Sequence, residues 1–394
     1  MVISSLICEF DPFHNGHKYL LDNMRKRGAD CIIACMSGNF TQRGEPAAFD
    51  KRTRTRAALM CGADLVLELP VTFACAGAER FAFGGVSLLN ALGCAESIFF
   101  GSECGDIGLL KRAAGALDNA SFGKAVKEKL SAGVTFAFAR EQAVRELCGN
   151  DIAGLFRSPN NILGIEYLKA LSALESSIIP ETIKRIGAEH DSFSVSGNIA
   201  SGSYLRQLAE SGASINAFVP DEASEIFGHA KEFSPCSMNN IERALLYRLR
   251  TMTCGQLALL PDIGEGLENR LYSAIRSCTS VQMILESVKT KRYTMSRLRR
   301  LLTYALLGIT TEDMIPSPLY VRVLGFNGTG RAALSHIKRT CLLPMITRAS
   351  DLNGLDSQCR RAFELESRCD DIYALTGRNV LSCGANLTFK IVTV

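Results

Sequence analysis

Residues that mark several common protein classes are sparse in this chain. It contains no tryptophan and only five histidines, and none of its fifteen cysteines forms a Cys-x-x-Cys pair. Unclustered histidines and cysteines give little support to a protein-bound metal, so we expect no metal site built from these side chains. Scattered cysteines of odd number instead indicate small buried residues in a reducing compartment.

Long apolar runs are also lacking. No stretch approaches the roughly 20 apolar residues that span a bilayer. The short apolar run at residues 1–8 has no basic flank and is followed by Glu9 and Asp11, which favours a strand over a signal peptide. The sequence therefore predicts a cytoplasmic protein without membrane contact, and it leaves the oligomeric state open.

Positive charge exceeds negative charge only slightly in this chain. The 44 basic residues outnumber the 40 acidic residues by only four, so any nucleic-acid surface must come from local clustering. Apolar residues make up 47% and charged residues 21% of the chain, which is typical of folded domains. A chain of 394 residues is too long for one hydrophobic core and indicates two domains.

The first hundred residues alternate short apolar runs with helical patterns. Apolar runs at 2–8, 30–36, 64–69 and 97–100 are each followed by a segment of helical periodicity. This order predicts an α/β, Rossmann-like parallel sheet with right-handed crossovers. Ligands bind such sheets beyond the carboxyl ends of the strands. The loops at 9–17, 37–49 and 101–106 are therefore the expected ligand-binding loops.

The second half of the chain has a different pattern. Beyond residue 228 the periodicity is mostly helical, with a possible strand at 319–324 and a helix at 329–338. We therefore predict a catalytic domain over 1–228 and a mostly helical domain over 229–394.

The segment His14-Asn15-Gly16-His17 lies between the first strand and a helix. Spacing of i and i+3 places both imidazoles on one helical face, and Gly16 permits close approach of a ligand to the backbone. The free N–H groups of a helix N-terminus favour phosphate. The simpler interpretation is a helix cap. The position after a strand favours a triphosphate site, with His14 and His17 stabilising charge on the α-phosphate and the leaving pyrophosphate.

This H-x-G-H segment resembles the nucleotidyltransferase superfamily that includes class I aminoacyl-tRNA synthetases. Those proteins carry a second element, I-S-S-T-x-I-R, and residues 200–206 (ASGSYLR) are similar. Ser201 and Ser203 are expected to cap a helix and contact phosphate, and Arg206 is expected to face the phosphates. Alanine and glycine at positions 200 and 202 depart from that pattern.

A further set of longer motifs comprises residues 9–17 (EFDPFHNGH), 36–46 (MSGNFTQRGEP), 64–70 (DLVLELP), 100–103 (FGSE), 158–167 (SPNNILGIEY), 289–294 (KTKRYT) and 322–326 (RVLGF). Together these motifs resemble the tRNA(Met) cytidine acetate ligase family. The resemblance implies that ATP and acetate form acetyl-adenylate, and that the acetyl group then passes to N4 of the wobble cytidine of elongator tRNA(Met).

The resemblance also implies which residues contact ATP, with Mg²⁺ as the expected counterion. The catalytic residues are expected to be His14, His17 and Arg206. The nucleotide-binding residues are expected to be Ile7, Cys8, Glu9, Phe10, Asp11, Pro12, Phe13, His14, Asn15, Gly16, His17, Lys18, Tyr19, Leu20, Gly101, Asn160, Arg185, Ser201 and Ser203.

Three further residues near this site have more than one interpretation. Asp11 stands where the family usually has asparagine, and its carboxylate would repel a triphosphate unless Mg²⁺ or a basic residue compensates. Arg43 is a candidate clamp for phosphate or acetate, or a solvated surface residue. Glu103 could orient the ribose or cap a helix.

A basic segment at 289–300 is the best candidate for binding RNA. Apolar residues at helical spacing predict a helix with one packed side and a basic exposed side, which could track phosphates or be only solvated. The expected tRNA-binding residues are Lys289, Lys291, Arg292, Arg297, Arg299 and Arg300.

Two other functions share the same motifs. A nucleotidyltransferase that adenylylates a small phosphorylated metabolite would use the same H-x-G-H site but would not need a basic helical domain. A non-catalytic RNA-binding protein on the same scaffold would not need His14, Gly16, His17 and Arg206 together.

Overall fold

The computed structural model describes residues 1–118, 120–186, 197–264 and 266–394. Its described part is built around one eight-stranded sheet. The strands are β1 Ile3–Cys8, β2 Cys31–Ser37, β3 Leu65–Leu69, β4 Ser97–Ser102, β5 Ile179–Lys184, β6 Val321–Phe326, β7 Met345–Ile346 and β8 Val392–Thr393.

Helices cover both faces of the sheet and form most of the second half. Within the described residues they are α1 Asn15–Lys26, α2 Lys51–Met60, α3 Val71–Ala74, α4 Ala78–Ala91, α5 Ile107–Leu117, α6 Ala120–Ser131, α7 Phe136–Cys148, α8 Asn150–Gly154, α9 Pro159–Ala173, α10 Gly202–Glu210, α11 Asp221–His229, α12 Glu242–Thr251, α13 Cys254–Ala258, α14 Leu267–Ser277, α15 Val281–Val288, α16 Met295–Leu307, α17 Gly328–Thr340 and α18 Ser357–Tyr373. None of these helices combines the length and apolarity needed to cross a membrane.

The strand order creates a switch point beside β1. The order along the sheet is β5-β4-β1-β2-β3-β6-β7, with β8 also pairing with β6. Strands β1 to β5 are mutually parallel, which confirms the predicted parallel α/β sheet. The chain runs outward from β1 to β3 and then returns to the other side of β1 with β4. A crevice therefore opens between the carboxyl ends of β1 and β4, where ligands bind such sheets.

Alternate residues of the central strands enter different cores. Ile33 and Cys35 pack in the core on one face of the sheet, and Ile32 and Ala34 pack on the other. Cys31 lies on the same face as Cys35, because residues at even spacing point to the same face of a strand. Because both faces are covered, the strands are continuous apolar runs rather than alternating ones.

The second half of the chain contributes strands to the sheet, and its helices α12 to α16 and α18 form a separate helical lobe. The strand predicted at 319–324 is β6, and it pairs antiparallel with β3. The helical lobe has its own core, which also takes in Phe40, Val71 and Cys75 from the first half. The segments before and after residue 228 therefore share one sheet, and each of the three main cores takes residues from both segments.

A buried ion cluster joins α2 to α18. The Lys51 ammonium lies 2.7 Å from a carboxylate oxygen of Glu68 and 2.7 Å from one of Asp370, with Lys51 only 3% exposed. Burial acts to lower the pKa of Lys51, but Asp370 and Glu68 outweigh it and raise that pKa above its usual value. Lys51 therefore does not face solvent, although it begins a helix with several basic residues.

We expect Lys51→Met to lower the free energy of unfolding by about 3–5 kcal/mol, because it leaves two buried carboxylates without their cation. The matched control is Lys129→Met, since Lys129 pairs with Glu146 at the surface and such pairs contribute at most about 1 kcal/mol. Urea unfolding of the three proteins makes the comparison. Equal losses in the two variants would contradict a special role for the buried cluster.

Candidate functional site

A cavity opens at the switch point, between the ends of β1, β4 and β5. Most residues predicted from the sequence to bind the nucleotide line it. They are Ile7, Cys8, Glu9, Phe10, Asp11, His14, Gly16, His17, Tyr19, Leu20, Gly101, Asn160, Arg185, Ser201, Ser203 and Arg206.

Four residues of the predicted set lie outside the cavity wall. Neither Pro12 nor Phe13 lines it. Phe13 is buried, and its ring supports His17 at a centroid distance of 5.6 Å. The Asn15 side chain donates to the carbonyl of Asn198 at 2.8 Å, and Lys18 pairs with Asp22 along α1. These side chains shape or flank the first loop instead of facing the ligand space.

His14 and His17 form a stacked pair at the start of α1. Their ring centroids are 3.7 Å apart, at an interplanar angle of 22°. His14 Nδ1 accepts from the Gly16 N–H at 3.1 Å, and His17 Nδ1 accepts from the His14 N–H at 3.2 Å. A Cβ on Gly16 would lie 2.9 Å from His14 Cε1, so only glycine permits this packing.

The capping bonds fix the tautomer of both imidazoles. Burial, followed by the nearby Arg185 and Arg206, lowers the pKa of His14 to about 3. Burial, followed by His14 and Arg185, lowers the pKa of His17 well below its usual value. Both rings are therefore neutral near pH 7. Since each Nδ1 accepts a hydrogen bond, each proton resides on Nε2, which makes both Nε2–H groups available as donors to a ligand.

Arg206 connects α10 to the first loop. Its Nη1 donates to the Asp11 carbonyl at 2.8 Å and lies 3.6 Å from the Asp11 carboxylate. Its Nη2 donates to the Ser203 hydroxyl at 3.2 Å. The additional carboxylate of Asp11 is thus offset by a basic residue, which was one of the two compensations expected from the sequence.

The two serines of this element have different roles. Ser201 caps α10 by accepting from the Tyr204 N–H at 3.2 Å. Ser203 lies inside the first turn and accepts from Arg206, so the prediction that Ser203 is also a cap was wrong. A helix has only one N-cap, and the following residues already have helical backbone angles.

Glu103 orients the start of α9. Its carboxylate accepts from the backbone N–H of Asn160 and Asn161 at 3.2 and 2.8 Å, and from the Asn160 amide nitrogen at 2.7 Å. This bonding favours the capping interpretation of Glu103. Because a carboxylate only accepts, Asn160 must turn its nitrogen to Glu103, which leaves its Oδ1 available to a ligand.

Gly101 provides space beside Arg185. A Cβ at Gly101 would lie 3.2 Å from Arg185 Cγ, so glycine lets this arginine lie flat against the end of β4. Burial lowers the pKa of Arg185, partly offset by Glu103. Arg185 and Arg206 thus present positive charge from neighbouring elements of one cavity, which suits a polyanionic ligand.

Arg54 is a supporting residue that the sequence did not reveal. It is one of several basic residues of α2, but it is fully buried. Its guanidinium donates to the carbonyls of Phe49, Glu9 and Ser37 at 2.8, 2.6 and 3.1 Å, and also to that of Gly38. Arg54 therefore fixes the loops after β1 and β2 to each other. No local sequence pattern distinguishes it from the exposed Arg52 and Arg56.

The basic segment is only partly exposed. Lys289, Lys291 and Arg292 are exposed in the link between α15 and α16. Arg297 donates to the Asp262 carbonyl at 2.6 Å, and Arg299 lies 3.1 Å from Glu45.

Arg300 does not lie on the exposed side that the helical pattern predicted. It is 9% exposed and donates to the Gln42 carbonyl at 3.2 Å. The position is buried because α16 packs against the loop after β2.

The carboxylates that line the cavity accept hydrogen bonds from backbone N–H groups. Glu9 accepts from the Gln42 N–H at 2.7 Å, and Asp11 accepts from the Ala48 N–H at 2.7 Å. Burial raises the pKa of Glu9. Among the described residues, no group of three histidine, cysteine or acidic side chains could hold a metal ion.

Comparison with known proteins agrees with this geometry. A family model described as HIGH Nucleotidyl Transferase matches residues 1–385, so the chain belongs to that class. It is 40% identical over 402 residues to the tRNA(Met) cytidine acetate ligase of Thermoanaerobacter sp. strain X514, with all of both chains covered. It is 39% identical over 400 residues to that of Acetivibrio thermocellus, with 96% of each covered. The chain is a member of the tRNA(Met) cytidine acetate ligase family.

Solved structures support the same assignment. A crystal structure of apo Thermotoga maritima TmcAL superposes with a TM-score of 0.95 at 33% identity. The same protein bound with alpha-thio ATP gives a TM-score of 0.92 at 32% identity. Both comparisons cover the whole of each chain. The fold predicted from the sequence is thereby confirmed.

We expect the imidazoles of His14 and His17 to remain neutral from about pH 8 to about pH 5. The pKa of His14 is lowered to about 3, and that of His17 is lowered well below its usual value, whereas an unperturbed histidine gains a proton near pH 6.5. The ¹⁵N shifts of both rings should report an Nε2–H tautomer throughout, with His14→Asn and His17→Asn variants assigning the signals. Protonation of either ring above about pH 6 would contradict the inferred donors.

Proposed function

We propose that this chain uses ATP to activate acetate as acetyl-adenylate and transfers the acetyl group to N4 of the wobble cytidine of elongator tRNA(Met), giving N4-acetylcytidine. Membership of the ligase family supports the reaction. The main structural support for this reaction in this chain is the neutral stacked histidine pair, whose Nε2–H donors line a cavity together with Arg185 and Arg206. Such a reaction belongs in the cytoplasm, where ATP and tRNA occur together.

In the first step an acetate oxygen attacks the α-phosphorus of ATP. A phosphorus–oxygen bond forms, and the bond from the α-phosphorus to the oxygen bridging the β-phosphorus breaks, so its electron pair leaves with pyrophosphate. Negative charge grows on the phosphate oxygens. The Nε2–H groups of His14 and His17, the guanidinium of Arg206 and the N-termini of α1 and α10 are placed to stabilise it.

Mg²⁺ fits this site through the nucleotide. Glu9 and Asp11 are already bonded to backbone N–H groups, so they supply no cage of free carboxylates. Mg²⁺ commonly binds substrate phosphates together with water. The ion would therefore neutralise the phosphates from the solvent side, while Arg206 does so from the protein side.

In the second step N4 of the cytidine attacks the acetyl carbonyl carbon. A carbon–nitrogen bond forms, the carbon–oxygen bond to AMP breaks, its electrons leave with AMP, and one N4 proton is lost. The RNA is expected to approach over the exposed Lys289, Lys291 and Arg292. Arg297, Arg299 and Arg300 are bonded to the protein and are expected to act mainly by holding α16 in place.

We expect labelled acetate to enter bulk bacterial tRNA only when ATP and Mg²⁺ are both present, with the label recovered as N4-acetylcytidine after digestion. Omission of ATP is the first control. If the complete reaction gave no labelled tRNA while the protein still bound ATP, the proposal would be contradicted, and adenylylation of a small phosphorylated metabolite would be favoured.

The variant His17→Asn tests the chemistry of the same reaction. Asparagine can still accept from the His14 N–H, but it lacks the Nε2–H donor. We expect acetate-dependent exchange of pyrophosphate into ATP to fall about 100-fold, the usual loss for one such donor, with a thermal midpoint close to that of the wild type. Full exchange activity in a folded variant would contradict the catalytic role of His17.

We expect the double variant Lys291→Ala/Arg292→Ala to bind tRNA more weakly and with a shallower dependence on salt. Each lost phosphate contact reduces the slope of log K against log salt by roughly 0.7–0.9. The matched control is Lys338→Ala/Arg339→Ala, which removes two adjacent exposed charges near the end of α17. An equal effect of both double variants would assign the result to overall charge.

A further inference from the structure

A second cavity lies between the nucleotide-binding loops and the helical lobe. Three residues line both this cavity and the nucleotide cavity, namely Arg43, Ser203 and Arg206. On the far side its walls come from α12, α15 and α16. The two spaces therefore meet at the arginine that we place beside the α-phosphate.

The wall of the second cavity combines an apolar part with polar side chains. Leu245, Leu285 and Leu302 contribute buried apolar surface, while Asn239 and Gln282 contribute exposed amides. A nucleobase has a flat apolar face and a hydrogen-bonding edge, and amide side chains bind such edges in single-stranded RNA.

Two of the three acidic residues that line this cavity, Glu45 and Glu242, have partners in the protein. Glu45 lies 3.1 Å from Arg299, and Glu242 accepts from the Val281 N–H at 2.8 Å. The third, Glu210, is exposed at the end of α10, so the carboxylates beside α12, α15 and α16 are the ones that the protein already neutralises or hydrogen-bonds.

The position of the cavity fits the exposed basic link. Lys289 follows Gln282 by seven residues, which is about 10 Å along α15 at the helical rise. An RNA strand with its phosphates on Lys289, Lys291 and Arg292 therefore lies within a few nucleotides of the cavity, and one unstacked base could enter it.

We propose that the second cavity is the acceptor-nucleoside subsite, which holds the pyrimidine base of the RNA substrate with its exocyclic amine directed toward Arg206 and the acyl-adenylate. The argument rests on the proposed function, because the second step requires N4 to reach a carbonyl attached to the α-phosphate. During this second step the acyl-adenylate occupies the first cavity. The cytidine base must therefore enter through the second cavity, which adjoins the first at Arg206.

The test fills the cavity without touching the nucleotide site. Gln282→Trp places an indole in the cavity, and the matched control is Met283→Trp, since Met283 is the next residue of α15, is 46% exposed and does not line the cavity. Asn239→Trp fills the same cavity from a different wall. Acetate-dependent pyrophosphate exchange measures the first step, and labelled acetate on tRNA measures the second.

We expect Gln282→Trp and Asn239→Trp to retain exchange within about twofold of the wild type and to lose transfer to tRNA by about tenfold or more, while Met283→Trp retains both. Normal transfer in the two filled variants would overturn the subsite. Loss of exchange in them would overturn it too, by assigning the cavity to the first step. Failure of the proposed function can be distinguished from failure of the subsite, because the wild type itself would then show no acetate-dependent exchange of pyrophosphate.

Discussion

The candidate site depends on one buried guanidinium. Arg54 binds backbone carbonyls at the carboxyl ends of β1 and β2, including those of Glu9 and Ser37. These are the loops that carry the histidine pair and Arg43. A buried charge is costly unless it is fully hydrogen-bonded, so the loops must adopt the conformation that satisfies it. A single side chain thereby fixes the entrance of α1 relative to the loop after β2, which neither strand pairing nor apolar packing would achieve.

The histidine pair shows that capping and ligand binding are not alternatives. Each Nδ1 is used inside the helix cap, and each Nε2–H is left for a ligand. The cap fixes the tautomer of both rings, and burial keeps both rings neutral. The motif therefore joins helix initiation to a pair of oriented N–H donors, and Gly16 is the residue that lets the two rings stack.

The parts of the structure that could be predicted are those governed by local order along the chain. The sequence of strands and helices, the H-x-G-H position and the place of Arg206 follow from periodicity and from family resemblance. Burial of individual charges could not be predicted. Arg54 and Arg300 resemble exposed neighbours in sequence, and only packing between distant elements decides their environment. The antiparallel pairing of β6 with β3 likewise could not be predicted, because an isolated apolar run does not indicate which strand it will pair with.

Helix α16 connects the basic segment to the loops that line the first cavity. Its Thr303 hydroxyl donates to the Gly44 carbonyl at 2.7 Å, and Arg300 reaches the Gln42 carbonyl. The Gln42 N–H in turn donates to Glu9 in the nucleotide cavity. A Cβ at Gly44 would lie 2.3 Å from the backbone nitrogen of Arg300, so a larger residue would separate the helix from the loop. Gly44 also has a φ of +76°, which favours glycine. The helix that carries part of the basic segment is therefore held directly against the adenylate-forming loops. Such direct contact suits a reaction in which an unstable acyl-adenylate must meet a base delivered by a large RNA, because the distance between the two is then set by packed backbone and not by a flexible linker.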